Sequence, residues 1–229
     1  MRAAFLLVTL VVSQWSAAQD QTSLWLRYSF RIPLDTNWTV QVDPDFRTEL
    51  APNAWGFTQW LFRSDFQRRL NDVHTVGFGA VGVYNTDEQR LVEMFEWRPQ
   101  VTLLTRPRSL DRRLLLRGRV EWREQYFSTS GETASQSFGT LRCRALVQYE
   151  IPFARTKHLM TRGFRNQAEI MVRAYTDTPL GFMDQLRLSS AWVMPASRKV
   201  EMEVMWMWFL REKEIWQQWF RIAFVHRLV

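Results

Sequence analysis

The stretch Leu114-Leu115-Leu116-Arg117-Gly118-Arg119-Val120-Glu121-Trp122-Arg123-Glu124-Gln125-Tyr126 sorts its side chains by parity. Leu114, Leu116, Val120, Trp122 and Tyr126 fall on one face, and Arg117, Arg119, Glu121 and Arg123 on the other. Successive side chains of a strand point to opposite faces, so a period of two separates an apolar from a charged surface, whereas the 3.6-residue period of a helix would mix them. The run also outlasts the about five or six residues of a usual soluble strand and suits a tilted crossing of a bilayer.

The same phase recurs in both directions. Upstream, Leu24, Leu26, Tyr28, Phe30 and Ile32 oppose Arg27, Ser29 and Arg31. Trp38, Val40, Val42 and Phe46 oppose Gln41, Asp43, Asp45 and Arg47, with Pro44 marking a bulge or strand end. Trp60, Phe62 and Phe66 oppose Arg63, Asp65, Gln67 and Arg69, and the run ends at Asn71-Asp72, a dipeptide suited to a tight hairpin. The fourth run, Val76 to Tyr84, is small on both faces, and its Gly77 and Gly79 are expected to leave space inside. The fifth sets Phe95, Trp97, Val101 and Leu103 against Glu96, Arg98, Gln100 and Thr102. Downstream, Leu141, Cys143, Ala145, Val147 and Tyr149 oppose Arg142, Arg144, Gln148 and Glu150, and Ala168, Ile170 and Val172 oppose Arg165, Gln167, Glu169 and Arg173. Leu186, Leu188 and Trp192 mark a ninth run, Val200 to Trp208 a tenth, and Trp219 to the end an eleventh.

Alternation alone fits a soluble barrel or sandwich equally well. The run length, the exclusion of charge from the apolar face and the placement of aromatic residues point instead to lipid. Only Arg68, Glu93 and Glu124 fall on the apolar face, all near strand ends, as expected when a charge at the bilayer midplane costs roughly 2 to 4 kcal/mol. Trp38, Trp60, Tyr126, Trp192 and Trp208 lie near run ends, where interfacial girdles belong. Lipid offers no partner for an open sheet edge, so the sheet must close. The expected fold is all-β: a closed, antiparallel, up-and-down transmembrane barrel of about 10–12 strands. Eleven runs are counted, yet an even number is usual and puts both termini at one rim, so ten or twelve strands are expected, with twelve preferred.

Composition agrees with one exported domain. Arg2, the apolar run Ala3 to Val12 and the small residues Ser16-Ala17-Ala18 read as a signal peptide over residues 1–18, leaving residues 19–229 as a single barrel domain in a bacterial outer membrane. That apolar run is too short for a helical span, which needs about 20 residues. The single cysteine, Cys143, rules out a disulfide framework. All but three of the 30 basic residues are arginine, the planar cation suited to buried carboxylate pairs. The net charge of +7 is spread along the chain rather than gathered in one patch, which argues against nucleic acid.

Between the fifth and ninth strands the sequence resembles an uncharacterised outer-membrane barrel family, the domain of unknown function 2490. The segments that carry the resemblance are Glu96-Trp97-Arg98-Pro99-Gln100, Arg117 to Arg123, Leu141-Arg142-Cys143-Arg144, Ala168-Glu169-Ile170 and Asp184-Gln185-Leu186-Arg187. The chain departs from many outer-membrane barrels at its end, closing on Val229 rather than an aromatic residue. The resemblance implies an outer-membrane location and no established activity.

The chemistry-bearing constellation is the polar face. Glu96, Arg98, Arg117, Arg119, Glu121, Arg123, Arg142, Arg144, Glu150, Arg165, Glu169 and Arg173 are the candidate interior ion-pair network. If the fifth and sixth strands turn near Ser109 and Leu110, Arg98 lies opposite Glu121 and Glu96 opposite Arg123. Two uses are open. A narrow barrel fills its interior with such pairs, the preferred reading, while an excess of arginine favours passage of small anionic or polar solutes. Outer-membrane lipid is the expected partner. His74, His158 and His226 lack recognisable spacing to a serine nucleophile or to one another, so no enzyme, metal site or cofactor is expected. A lipid-acting barrel enzyme and a soluble periplasmic barrel are the remaining alternatives.

Overall fold

A computed structural model describes residues 22–51, 57–87, 92–107, 113–129, 136–153, 163–177, 181–211 and 217–228. The expected signal peptide lies outside the described residues. The elements are β1 (Thr22–Pro33), β2 (Trp38–Ala51), β3 (Phe57–Arg69), β4 (His74–Asp87), β5 (Val92–Thr105), β6 (Leu114–Thr129), β7 (Gln136–Pro152), β8 (Gly163–Thr176), β9 (Met183–Pro195), β10 (Val200–Arg211) and β11 (Gln217–Arg227). Each pairs antiparallel with the next, and the sheet closes through β1 and β11.

Among the described residues the strands number eleven, which corrects the expected even count. With an odd number the first and last strands run the same way, so the closing pair is parallel, in register from Thr22↔Gln218 to Arg31↔Arg227. Closure satisfies both edges, the requirement that lipid imposes, without parity in the strand count. Its consequence is that β1 begins at one rim and β11 ends at the other.

The faces are sorted opposite to those of a water-soluble protein. Trp60, Phe62 and Val101 are each 58% exposed on the outside, while Glu96 and Glu121 are 0% and 1% exposed inside. Aromatic pairs knit the outer surface, including Phe66 stacked on Phe78 at 5.7 Å and Trp122 on Tyr175 at 6.2 Å. Of the outward charges, Arg68 sits with its guanidinium carbon 5.5 Å from the Trp38 ring at the rim where β1 ends. Among the described residues no helix is long and apolar enough to cross a membrane.

Three short turns at that rim are fixed by a side-chain acceptor. Asp35 Oδ1 accepts the N–H groups of Asn37 (2.6 Å) and Trp38 (2.8 Å), and Asn71 Oδ1 those of Val73 and His74 (both 2.8 Å). Ser197 Oγ accepts those of Lys199 (3.3 Å) and Val200 (3.1 Å). In each case the second donor opens the next strand, so these Asx- and Ser-type turns set where it begins. The two N–H donors hold the Asp35 carboxyl below its ordinary pKa.

The expectation that Gly79 leaves space is also corrected. Asp65 lies opposite it in the β3–β4 register and folds its carboxylate across, where it accepts from Gln100 Nε2 at 2.6 Å. A methyl group at Gly79 would collide with the Ser64 carbonyl oxygen and the Asp65 carboxylate. Glycine is needed there for close approach, not for a void.

Candidate functional site

The interior of the barrel is built from the inward parity of each strand, and on β5–β8 that parity carries shared carboxylates. Glu96 accepts from Arg98 Nε (2.6 Å) and Nη2 (2.7 Å), from Arg123 Nε and Nη2, and from Gln125 Nε2 (3.3 Å). Glu121 binds Arg142 and, at 3.3 Å, Arg144. Glu169 takes Arg117 at 2.7 Å, Arg144 at 2.8 Å and Arg187 at 3.2 Å. Such bidentate and shared forks stay closed because guanidinium and carboxylate are planar and matched in width. Nearer the rim, Glu150, whose side chain is 45% exposed, accepts from Arg165 Nε at 2.8 Å, and Arg165 also reaches Glu203. Arg173 donates to Asp184 Oδ1 at 2.7 Å and to the Gly181 and Met183 carbonyls. Arg119 stands apart: it donates to Thr102 Oγ1 at 2.9 Å and lies 4.0 Å from Asp65, and its Nη1 meets no acceptor among the described residues.

The expected β5–β6 register is off by two residues. Glu96 lies opposite Gln125 and Gln100 opposite Glu121, so neither proposed cross-strand pair sits face to face. The connection from Thr105 to Leu114 is too long for a tight turn to dictate register. Charge complementarity is met instead along a diagonal, Arg123 to Glu96, and on the following hairpin, where Glu121 lies directly opposite Arg142.

Sequence parity missed Asp184. It occupies an extra position in β9, where the register steps from Met171↔Gln185 to Val172↔Met183, and this bulge turns its carboxylate inward to Arg142 (2.8 Å) and Arg173. Parity reading also passed over the wall where β9, β10, β11 and β1 meet. There Trp25, Ala191, Met205, Met207 and Phe209 form a buried apolar cluster inside the barrel, with Trp219 against it. Its signal was present in β10, VEMEVMWMWFL, whose second half is apolar on both faces. Four guanidiniums surround the Trp25 ring: Arg47 at 3.7 Å, Arg27 at 4.7 Å, Arg221 at 5.0 Å and Arg187 at 5.8 Å. The indole face supplies part of the negative potential that a carboxylate supplies elsewhere, at about 0.5 to 2 kcal/mol per contact.

The packing leaves an interior cavity of about 1020 Å³. Fifteen arginines and seven carboxylates line it, and the three further buried carboxylates, Asp45, Glu121 and Glu201, still leave arginine in excess. Among the described residues no group of side chains could hold a metal ion. His226 Nδ1 lies 3.1 Å from the Tyr28 hydroxyl and His74 Nδ1 3.2 Å from Thr105 Oγ1, both near strand ends. His158 lies outside the described residues.

The profile of a family described as a protein of unknown function, DUF2490, matches residues 22–219. The chain belongs to this family. No functionally curated protein matches it. Among solved structures, the translocator domain of the autotransporter NalP from Neisseria meningitidis superposes with a TM-score of 0.50 at 10% identity, over 78% of this chain and 70% of that one. The siderophore receptor PirA from Pseudomonas aeruginosa gives a TM-score of 0.37 at 8% identity, over 82% of this chain and 35% of that one. The first likeness shows that this DUF2490 member has the fold of an outer-membrane β-barrel.

Proposed function

We propose that the protein is a narrow outer-membrane barrel that admits and passes small anions. The observation that carries this reading is the charge imbalance of the cavity, fifteen lining arginines against seven carboxylates. A purely structural filling would gain most by neutralising its guanidiniums, because an uncompensated buried charge is costly. Retained excess charge in a water-filled space raises the local concentration of anions instead. The inverted exposure of the barrel supports a membrane location, and the short apolar run at residues 3–12 supports export to it. The proposal carries no catalytic step.

The second reading, a filled structural barrel, is favoured by the way Glu96, Glu121 and Glu169 each hold two or three arginines. Planar-bilayer recording of the purified protein across a KCl gradient separates the two. The anion reading expects discrete conductance with a reversal potential on the chloride side of zero, moving toward zero in Arg119→Gln and Arg63→Gln. Absence of conductance, or cation preference, would leave the structural reading.

A further inference from the structure

The wall around Trp25 gathers four guanidiniums, those of Arg27, Arg47, Arg187 and Arg221. Strand register places Arg47 beside Trp25 on β2 and Arg221 beside it on β11, and Arg187 reaches across from β9. Three carboxylates nearby, those of Asp45, Glu169 and Glu203, lie closer to other arginines, and Arg47 Nη1 donates to Gln59 Oε1 at 2.9 Å. Asp45 is held by Arg27 through two bonds of 2.6 and 2.8 Å, leaving Arg47 at 3.7 Å. Glu203 pairs closely with Arg165, leaving Arg221 at 3.3 Å, and Glu169 serves Arg117 and Arg144 before Arg187. The Nε–H groups of Arg47, Arg187 and Arg221 and the indole N–H of Trp25, which is 2% exposed, are buried with no acceptor among the described residues. Beside them Phe209 and Trp219, with ring centroids 5.4 Å apart, both line the cavity, and the Arg187 guanidinium lies 4.6 Å from the Phe209 ring.

Resting on the reading that the interior admits anions, we infer that this wall is a binding site for a small aromatic carboxylate. Its carboxylate meets the guanidinium forks of Arg47, Arg187 and Arg221, and its ring lies on Phe209 and Trp219. A planar oxyanion matches two or more forks at once, which a spherical halide does not. The apolar wall of two tilted rings rewards an aromatic ligand and gives nothing to a bare oxyanion, and a pocket that joins apolar walls to a few converging polar groups is the usual form of a small-molecule site.

The test is titration of the full mature protein, refolded in detergent, with benzoate, acetate, inorganic phosphate and benzylammonium, followed by calorimetry. Benzoate should saturate one site at least about tenfold more tightly than acetate or phosphate, and benzylammonium should not bind. Phe209→Leu should weaken benzoate and leave phosphate unchanged, while Arg187→Gln should weaken every anion. Equal affinity for benzoate and acetate, or binding of phosphate alone, in the wild-type protein overturns the site without reference to any variant. Conductance of the same preparation separates this proposal from the broader one: anion-selective current without benzoate binding removes only the site, whereas benzoate binding in a barrel that does not conduct removes only passage.

Discussion

The interior walls of β5–β8 and of β9–β11 with β1 face the same cavity, yet they are filled by different chemistry. On the first, Glu96, Glu121 and Glu169 gather arginines into closed forks, with Arg119 the exception that stands outside them. On the second, methionines and aromatic rings share the inward positions with charged groups, and of the guanidiniums on Trp25 those of Arg47 and Arg221 have their carboxylates at longer range. The difference teaches that one residue type serves two ends here. Arginine in a satisfied network is scaffold, and on the proposed reading arginine over an indole is charge left available to a solute. The apolar wall also lies at the parallel seam, where its buried packing reinforces the closing pair of strands.

The largest expected effect sets these walls against each other. Glu169→Ala strips three guanidiniums of a shared carboxylate and should cost about 3 to 5 kcal/mol in urea unfolding from lipid vesicles, as for a broken buried pair. Met207→Ala on the other wall removes packing alone and should cost about 2 to 4 kcal/mol. A smaller loss for Glu169→Ala than for Met207→Ala would erase the distinction drawn between scaffold and available charge. Next in size, Val120→Arg, 46% exposed on the outer face, should lower folding into vesicles by about 2 to 4 kcal/mol, well beyond the cost of Arg119→Ala beside it. The reverse order would show that the faces are assigned wrongly. A double-mutant cycle then sharpens the first wall: Glu121 with Arg142 should couple by more than about 1 kcal/mol, and Glu121 with Arg98 by far less. The smallest effect lies at the rim. The Asp35 carboxyl has a lowered pKa, so its stabilisation of the turn is present above the unfolded-state value and lost as pH falls through the folded one. The stability difference between wild type and Asp35→Ala should therefore be full at neutral pH and vanish in acid.

Much of this was legible in the primary structure because a lipid-facing strand tolerates almost no error in parity. The alternation through Val120, Glu121 and Trp122 assigns inside and outside residue by residue, and eleven runs of that kind locate eleven strands. Three features were not legible, for separate physical reasons. The parity of the strand count follows from how the edges pair, a long-range property that no single run encodes. The β5–β6 register was misjudged because diagonal and next-hairpin partners satisfy Glu96 and Glu121 as well as facing ones would. Asp184 was left out of the expected interior network because one bulged residue reverses parity locally, and the Trp25 wall because an apolar residue on the polar face reads as noise until its neighbours are known.

The claim beneath all of this is that the apolar face lies in lipid and the arginine face in water. The single native cysteine tests it without disturbing the fold, since Cys143 sits on the outer parity of β7 between the inward Arg142 and Arg144. In lipid vesicles, Cys143 should resist a small, negatively charged thiol reagent and react fully once the protein is unfolded in hot detergent. Moving the thiol one residue inward, in Cys143→Ser with Arg144→Cys, should bring prompt labelling in the intact barrel. Prompt labelling of native Cys143 in vesicles, with protection of the shifted thiol, would contradict the account.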